Sequence, residues 1–472
     1  MIEIKGVSKI YPDGCVALKD INLKFPDNGF FAIIGETGCG KSTLMNIIGT
    51  FEKPTSGEVL IDNVPISSFS PKMYDDYRCN YLSCIFQNIS VFDLIPDLTI
   101  QENIDLSFFL QNRKIDEKKI ANLLELLRIK EIYNKGSIDL SGGQIQRSST
   151  IRAISRNTKI IIADEPTSSL DPKTKEIIVN LFKELSKKKL IIVISHDISI
   201  LNKVDGVVTL NNGRLVSYKS KDELEKNELF NKLINKNKNN DESFFESLNN
   251  IGNDNEKDNI EKISNIVNDI NNEKRKNNLK RLIPLKYTLR IIFNNLKSKP
   301  IGTFMQIILH FFIFFLLTIL ASTIIFSLRK LLPELKKKTA DFDTNEIIKS
   351  ALNIARVLFG IVASFAIFIS SKSVIGVMKK NRQKIGVLRS IGTSTLSIFV
   401  IYFIETLMIL SLSFLFSMGL YFVYSQSYID FTENIKILGV MFIYLFTVSA
   451  ISVLIPSLLL IKKSIISMLK KN

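Results

Sequence analysis

The stretch Gly35-Glu36-Thr37-Gly38-Cys39-Gly40-Lys41-Ser42, with Thr43 behind it, decides the fold. It fits the phosphate-binding pattern G-x-x-x-x-G-K-[ST]. Upstream, Phe30 to Ile34 is an unbroken apolar run, as in a short buried strand. Downstream, Thr43 to Ile48 reads as the start of a helix. Glycines let the backbone turn tightly, so that successive N–H groups point at a polyphosphate on the helix N-terminus. Lys41 can then reach the β- and γ-phosphates, and the Ser42 hydroxyl can ligate Mg²⁺.

The 472 residues are enough for two or three domains. A net charge of +16 raises the question of nucleic acid. However, the basic residues lie in an Asn/Lys-rich stretch or flank apolar segments, the pattern of a cytoplasmic membrane face. The first 225 residues carry no basic patch interleaved with aromatics, which argues against nucleic acid. Cys15, Cys39, Cys79 and Cys84 all fall in the phosphate-binding part, where a reducing cytosol is expected. Cys79 and Cys84 are too few for a zinc site. The N-terminus does not read as a signal peptide: it enters an alternating stretch through Ile2, Ile4 and Val7, as an edge strand would.

Further motifs follow at intervals. Tyr11 sits in a Tyr-Pro-Asp-Gly turn ahead of the phosphate loop, either stacking on a base or facing solvent. Gln87 lies in Cys84-Ile85-Phe86-Gln87-Asn88. Leu140-Ser141-Gly142-Gly143-Gln144 places small residues before a helix, offering bare N–H groups and a positive dipole end to phosphate. Ile160 to Ala163 is an apolar run ending in Asp164 and Glu165, as a central strand with carboxylates at its C-terminal edge would be. Asp164 suits Mg²⁺ and Glu165 suits a general base for an attacking water. Leu190 to Ile194 is the last such strand and leads to His196.

Together these motifs resemble the ATPase domain of ABC transporters over residues 1–225. The resemblance implies an α/β P-loop fold that hydrolyses ATP with Mg²⁺. Gln87 becomes the glutamine that contacts Mg²⁺ or the water, and His196 the histidine near the γ-phosphate. Ser141, Gly142, Gly143 and Gln144 become the signature that acts on the ATP of a second subunit, so a homodimer through the ATP sites is implied. After the signature, Ser148, Ser149 and Thr150 stand where the family has small apolar residues, which should loosen helix packing slightly.

Residues 226–280 are dominated by Asn, Lys, Glu and Asp and cannot bury enough apolar surface to offset the entropy of ordering. As a coil such a linker spans about 40 Å root-mean-square. Ile260, Ile263, Ile266, Val267 and Ile270 recur at helical spacing, but the bias of the segment favours disorder. Residues 281–300 read as a basic amphipathic helix lying on the inner leaflet. Residues 301–472 then hold four apolar segments, Thr303–Leu328, Ala351–Met378, Thr395–Tyr424 and Lys436–Ile461, each at least 26 residues long. Such lengths cross a hydrocarbon core of about 30 Å as helices. The expectation is an all-α membrane domain of four transmembrane helices in the lipid bilayer. The loop from Lys379 to Arg389 and the tail with Lys462, Lys463, Lys470 and Lys471 are basic, which places both termini in the cytoplasm.

Lys384-Ile385-Gly386-Val387-Leu388-Arg389-Ser390-Ile391-Gly392-Thr393-Ser394 resembles the EIGILRAIGAS element of FtsX/MacB-type permeases. In those, a short helix couples motor to membrane, and Ile385, Gly386, Leu388, Arg389 and Gly392 are the matching positions. Lys384 replaces the usual Glu, which leaves a salt bridge there without its expected acid. Only about 22 residues, Arg329 to Ser350, separate the first two spans. MacB relatives hold a large domain there, so an outer-membrane channel partner is not expected. The combined reading is an exporter of the cytoplasmic (plasma) membrane whose substrate is unknown, a peptide of bacteriocin or antimicrobial type or an amphiphile. A mechanical signalling complex of the FtsEX kind is the alternative. His310 and Gln306 read as helix-packing polars, and Glu405 and Lys372 as ionisable groups without an assigned role.

Overall fold

The computed structural model describes residues 1–86, 94–195, 197–220, 282–298, 300–316 and 344–425, together with isolated positions at 319, 323 and between 443 and 468. Gln87, His196, the 226–280 linker and nearly all of the fourth apolar segment lie outside the described residues.

The first unit opens with β1 (Ile2–Ile10), β2 (Val16–Phe25) and β3 (Gly29–Ile34), then α1 (Lys41–Ile48), β4 (Ser56–Ile61) and β5 (Val64–Pro65). It continues through α2 (Pro71–Asp76), β6 (Leu82–Ile85), α3 (Ile100–Leu110), α4 (Glu117–Leu126), α5 (Gly142–Ser155) and β7 (Ile160–Asp164). α6 (Pro172–Ser186), β8 (Leu190–Ile194), α7 (Ile198–Leu201), β9 (Gly206–Asn211) and β10 (Arg214–Ser220) complete it. Two sheets form, in the orders β2-β1-β4-β5 and β10-β9-β3-β8-β7-β6. The central strands are apolar on both faces, as buried parallel strands are: helices pack on the face that carries Phe30, and on the other Phe31 meets Phe25 of β2 edge-on at 5.5 Å. Phe30, Ile161, Ile191 and Val193 are fully buried, and Phe30 meets Phe182 of α6 edge-on at 6.1 Å.

β1 is not an edge strand. It pairs antiparallel with β2 on one side and β4 on the other. Ile2, Ile4 and Val7 are buried as their alternation predicts. Alternation reports one buried face, which edge and interior antiparallel strands share.

The second unit contains α8 (Leu285–Lys297), α9 (Pro300–Leu316), α10 (Thr344–Lys380) and, beyond the short α11 (Arg382–Ser390), α12 (Thr395–Ser425). α8 meets α9 at a bend of 94°. It is two-faced: Thr288, Ile291, Ile292 and Asn295 are buried, while Leu285 and Phe293 are exposed. Ile313 and Phe314 of α9, Ala366 of α10, and Leu410 and Phe414 of α12 make a small core, with Phe314 edge-on to Phe414 at 5.7 Å. His310 and Ser370 join α9 to α10 through Nε2 and Oγ at 2.6 Å, and His310 Nδ1 lies 2.8 Å from the Gln306 carbonyl. A carbonyl only accepts, so a neutral His310 carries its proton on Nδ1 and accepts from Ser370. The helix-packing role expected of His310 agrees with this. Glu405 of α12 accepts from Asn295 Nδ2 of α8 at 3.0 Å, a buried polar tie that spacing alone did not reveal. Among the described residues, α12 is long and apolar enough over Thr395–Leu420 to cross a membrane, and α8 with α9 forms a bent pair that passes the same test. α10 begins at Thr344, so the last residues of the expected Arg329–Ser350 loop are helical.

The segment Arg382–Ser394, which lies between α10 and α12 in sequence, belongs to the first unit. Ile385, Val387, Leu388 and Ile391 are each at most 3% exposed. The Lys384 ammonium lies 2.9 and 2.7 Å from the two carboxylate oxygens of Asp97. A salt bridge therefore exists at this position, with Lys on the segment and the acid on the ATPase side. Arg156 Nη2 donates to the carbonyls of Arg78, Cys79 and Ile391 at 2.6, 2.7 and 3.2 Å. Burial and the neighbouring Arg78 charge lower the Arg389 pKa to about 10, against the pull of Asp75. Gly392 has φ +88°, and a Cβ there would sit 2.5 Å from the Cys79 backbone nitrogen. Gly392→Ala therefore meets both backbone strain and a clash. It should raise amide exchange across 385–393 by about tenfold or more while β3 and β8 stay protected. Unchanged protection of that segment would contradict this account.

Candidate functional site

The ends of β3, β7 and β8 set the site. Ile33 and Asp164 both pair with Ile194, so the three strands finish in one row. The loop after β3 needs its glycines. Gly35 and Gly40 have φ +148° and +104°, and a Cβ on either would lie within 2.3 Å of a carbonyl oxygen, Leu210 or Ala17. Gly40 is the N-cap of α1, whose first residues are Lys41, Ser42 and Thr43. Glu36, Thr37 and Gly38 form the exposed rim, and Cys39 is buried. The Lys41 ammonium donates to the carbonyls of Gly35 and Glu36 at 2.7 and 2.8 Å and lies 3.9 Å from Cys39 Sγ. A cation held across the mouth of a ring of backbone N–H groups is a receptor for polyphosphate.

Ser42 Oγ donates to Asp164 Oδ2 at 2.8 Å. A hydroxyl and a carboxylate oxygen at a helix N-terminus are hard oxygen donors, and the pair fits Mg²⁺. Tyr11 Oη lies 3.3 Å from Thr43 Oγ1, and the Lys9 ammonium sits 5.2 Å from the centre of the Tyr11 ring. The structure thus brings Tyr11, the loop, Ser42 and Asp164 together.

Glu165 follows the last residue of β7 with φ +51°, the left-handed region that a non-glycine residue enters at a cost of about 1 kcal/mol or more. Its N–H donates to the Ile194 carbonyl at 3.0 Å, which ties it to the end of β8. Ser141 caps α5 in a reciprocal box with Gln144, so the Gln144 carboxamide is engaged with the Ser141 backbone N–H at 3.0 Å. Ser141 and Gly142 are exposed at that helix end. The hydroxyls that follow are accommodated within the helix: Ser148 and Thr150 donate back to the carbonyls four residues earlier, both at 2.8 Å. Cys79 is buried, and burial pushes its thiol up to about 12 against the Arg156 charge, so it stays protonated.

The family model described as ABC transporter matches residues 18–168. An uncharacterized ABC transporter ATP-binding protein of Methanocaldococcus jannaschii is 38% identical over 226 residues, covering 46% of this chain and 95% of that protein. The chain belongs to the ABC transporter family. Its first unit is an ATP-binding cassette that hydrolyses ATP. The methionine import ATP-binding protein MetN of Vibrio cholerae is 37% identical over 224 residues, 64% of its length. The macrolide export ATP-binding/permease protein MacB of Haemophilus ducreyi is 36% identical over 224 residues, and there the match spans 32% of the relative. A dimeric post-hydrolysis ATP-binding cassette bound to ADP and Pi aligns with 47% of this chain and 98% of its own, at 34% identity and a TM-score of 0.44. Sequence reading of this ABC cassette missed Gln146, Arg156 and Asp97, whose partners lie far away along the chain.

Cys39 gives a direct probe of the loop. In a Cys15→Ser background, which removes the exposed thiol, maleimide should inactivate the ATPase slowly and ATP should protect it. Full activity after complete labelling of Cys39 would contradict its place beside the phosphates.

Proposed function

We propose that the chain is one subunit of a homodimeric, fused ABC ATPase–permease of MacB/FtsX type, working in the cytoplasmic membrane with both termini inside. The observation that carries the reading is the segment Arg382–Ser394. It is buried within the cassette's own compact unit, yet it continues into α10 on one side and the long apolar α12 on the other. Such a segment passes displacement of the cassette directly to two helices. The MacB likeness supports this reading through the cassette, and the EIGILRAIGAS-like element supports it through Ile385, Gly386, Leu388, Arg389 and Gly392.

In this reading two cassettes close on two ATP molecules. Each signature, Ser141 to Gln144, serves the ATP held by the partner's Gly35–Ser42 loop. Ser42, Asp164 and Gln87 would hold Mg²⁺, which would supply positive charge to offset that of the phosphates. Glu165 takes a proton from the attacking water, whose oxygen bonds to the γ-phosphorus as the bond to the β–γ bridging oxygen breaks. His196 is assigned the contact to the γ-phosphate by its place in the sequence motif. Four helices in the bilayer then shift and expel the cargo, a peptide of the bacteriocin or antimicrobial kind or an amphiphile. The short Arg329–Ser350 stretch leaves little for an outer-membrane channel to grip.

Glu165→Gln should keep ATP binding and lower turnover by about 10²-fold or more. In cells carrying only that variant, quantitative mass spectrometry of the medium should show a peptide that disappears outside and accumulates inside. Near-normal turnover would remove Glu165 from the role of base, and an unchanged medium would favour mechanical signalling or a lipid cargo. Arg389→Glu should leave ATPase activity while abolishing the cellular phenotype, because it places an acid beside Asp75 in the buried coupling segment. A normal phenotype would count against that segment as the transmitter.

A further inference from the structure

Gln146 lies two residues beyond the signature and is 1% exposed. Both ends of its carboxamide are used. Nε2 donates to the Glu165 carbonyl at 2.8 Å, and Oε1 accepts from the Ser169 N–H at 3.1 Å. One side chain on α5 therefore spans the whole turn from Glu165 to Ser169. The Glu165 carbonyl also accepts from Ser168, from N–H at 3.3 Å and from Oγ at 3.2 Å, while the Glu165 N–H is held by Ile194. These bonds surround a residue at φ +51°. A non-glycine residue stays in that region only when its surroundings over-determine it. Among these restraints, Gln146 is the one that comes from the signature helix.

We propose that Gln146 is a positioning residue for hydrolysis: its buried carboxamide holds Glu165 in its working backbone conformation and ties that conformation to the helix that carries the signature. The proposal rests on Glu165 acting as the base. The residue type is dictated by the two bonds, since a donor and an acceptor are both needed on an uncharged group. A carboxylate at 146 would keep the acceptor for Ser169 and face the Glu165 carbonyl with a second oxygen. A thioether would lose both bonds at similar volume. Because α5 is a continuous helix, a movement of its N-terminal turn on engaging phosphate carries Gln146 with it, about one turn away. The base is thereby set by the state of the same cassette's signature.

The test measures MgATP hydrolysis by the purified full-length protein for wild type, Gln146→Glu, Gln146→Met, Glu165→Gln and each Gln146 change combined with Glu165→Gln. With Gln146 changed alone, kcat should fall about tenfold or more while KM for ATP stays within about twofold, the signature of a misplaced group rather than lost binding. In the Glu165→Gln background the same changes should cost less than about twofold, because residues acting through one another are not additive. A kcat within twofold of wild type for both single variants, while Glu165→Gln is crippled, overturns the proposal. An equal fold loss in both backgrounds also overturns it, since that is what a purely structural residue would show. If Glu165→Gln itself turns over normally, the base assignment fails and this proposal with it. Gln146→Glu preserves size and the acceptor oxygen for the Ser169 N–H, so it keeps the test open should Gln146→Met fail to fold.

Discussion

The hydrogen bond from Ser42 to Asp164 joins residues 122 positions apart, and the rest of the cassette is arranged so that it can form. β3 and β7 never touch; each pairs in parallel with β8. A parallel pair needs a long crossover, so the intervening chain is spent on helices that cover the sheet. The reward is that three strand ends finish level, at Ile33, Ile194 and Asp164. Whatever leaves those ends faces one edge. The phosphate loop leaves β3 and Glu165 leaves β7, which is the general position of ligand sites in open parallel sheets.

Much of this arrangement was legible from sequence because it is local. The glycines at 35 and 40 announce positive φ and a close backbone approach, and both are found. The apolar runs at 30–34, 160–163 and 190–194 announce buried parallel strands, and all three are found. What escaped was of two kinds. Alternation at Ile2, Ile4 and Val7 locates a buried face but cannot count neighbours, so an interior strand looked like an edge. Partners chosen by the fold were also invisible. Lys384 and Asp97 are 287 residues apart, and Arg156 and Ile391 are 235 apart. Lys384 alone could not name its acid, because the fold supplies Asp97.

The α5 helix shows how one element combines several duties. Its N-terminal end is capped by Ser141 and Gln144, its inner face carries Gln146, and its C-terminal cap is Arg156, which reaches the Ile391 carbonyl. The serines and threonine along it are buried, yet Ser148 and Thr150 satisfy their hydroxyls on the helix's own carbonyls. Back-bonding of this kind bends helices slightly, and it replaces apolar burial with local hydrogen bonds. A helix gripped at both ends through backbone carbonyls moves as one body, and that suits an element whose two ends serve different sites.

The level row of strand ends also governs which length changes the cassette can absorb over evolution. An inserted residue in β3, β7 or β8 ahead of that row would advance its end by about 3.3 Å and turn every following side chain to the opposite face. Ser42 and Asp164 could then no longer meet. At the other end of the same strands, Gly29 and Ile160 pair with Leu190, and the connections there need only close. Extra residues around Asp27, Thr158 or Lys188 would lengthen a turn without moving any group that handles phosphate. Natural insertions and deletions in such a domain should therefore gather on one end of the sheet, and grafted tags or sensors belong there too.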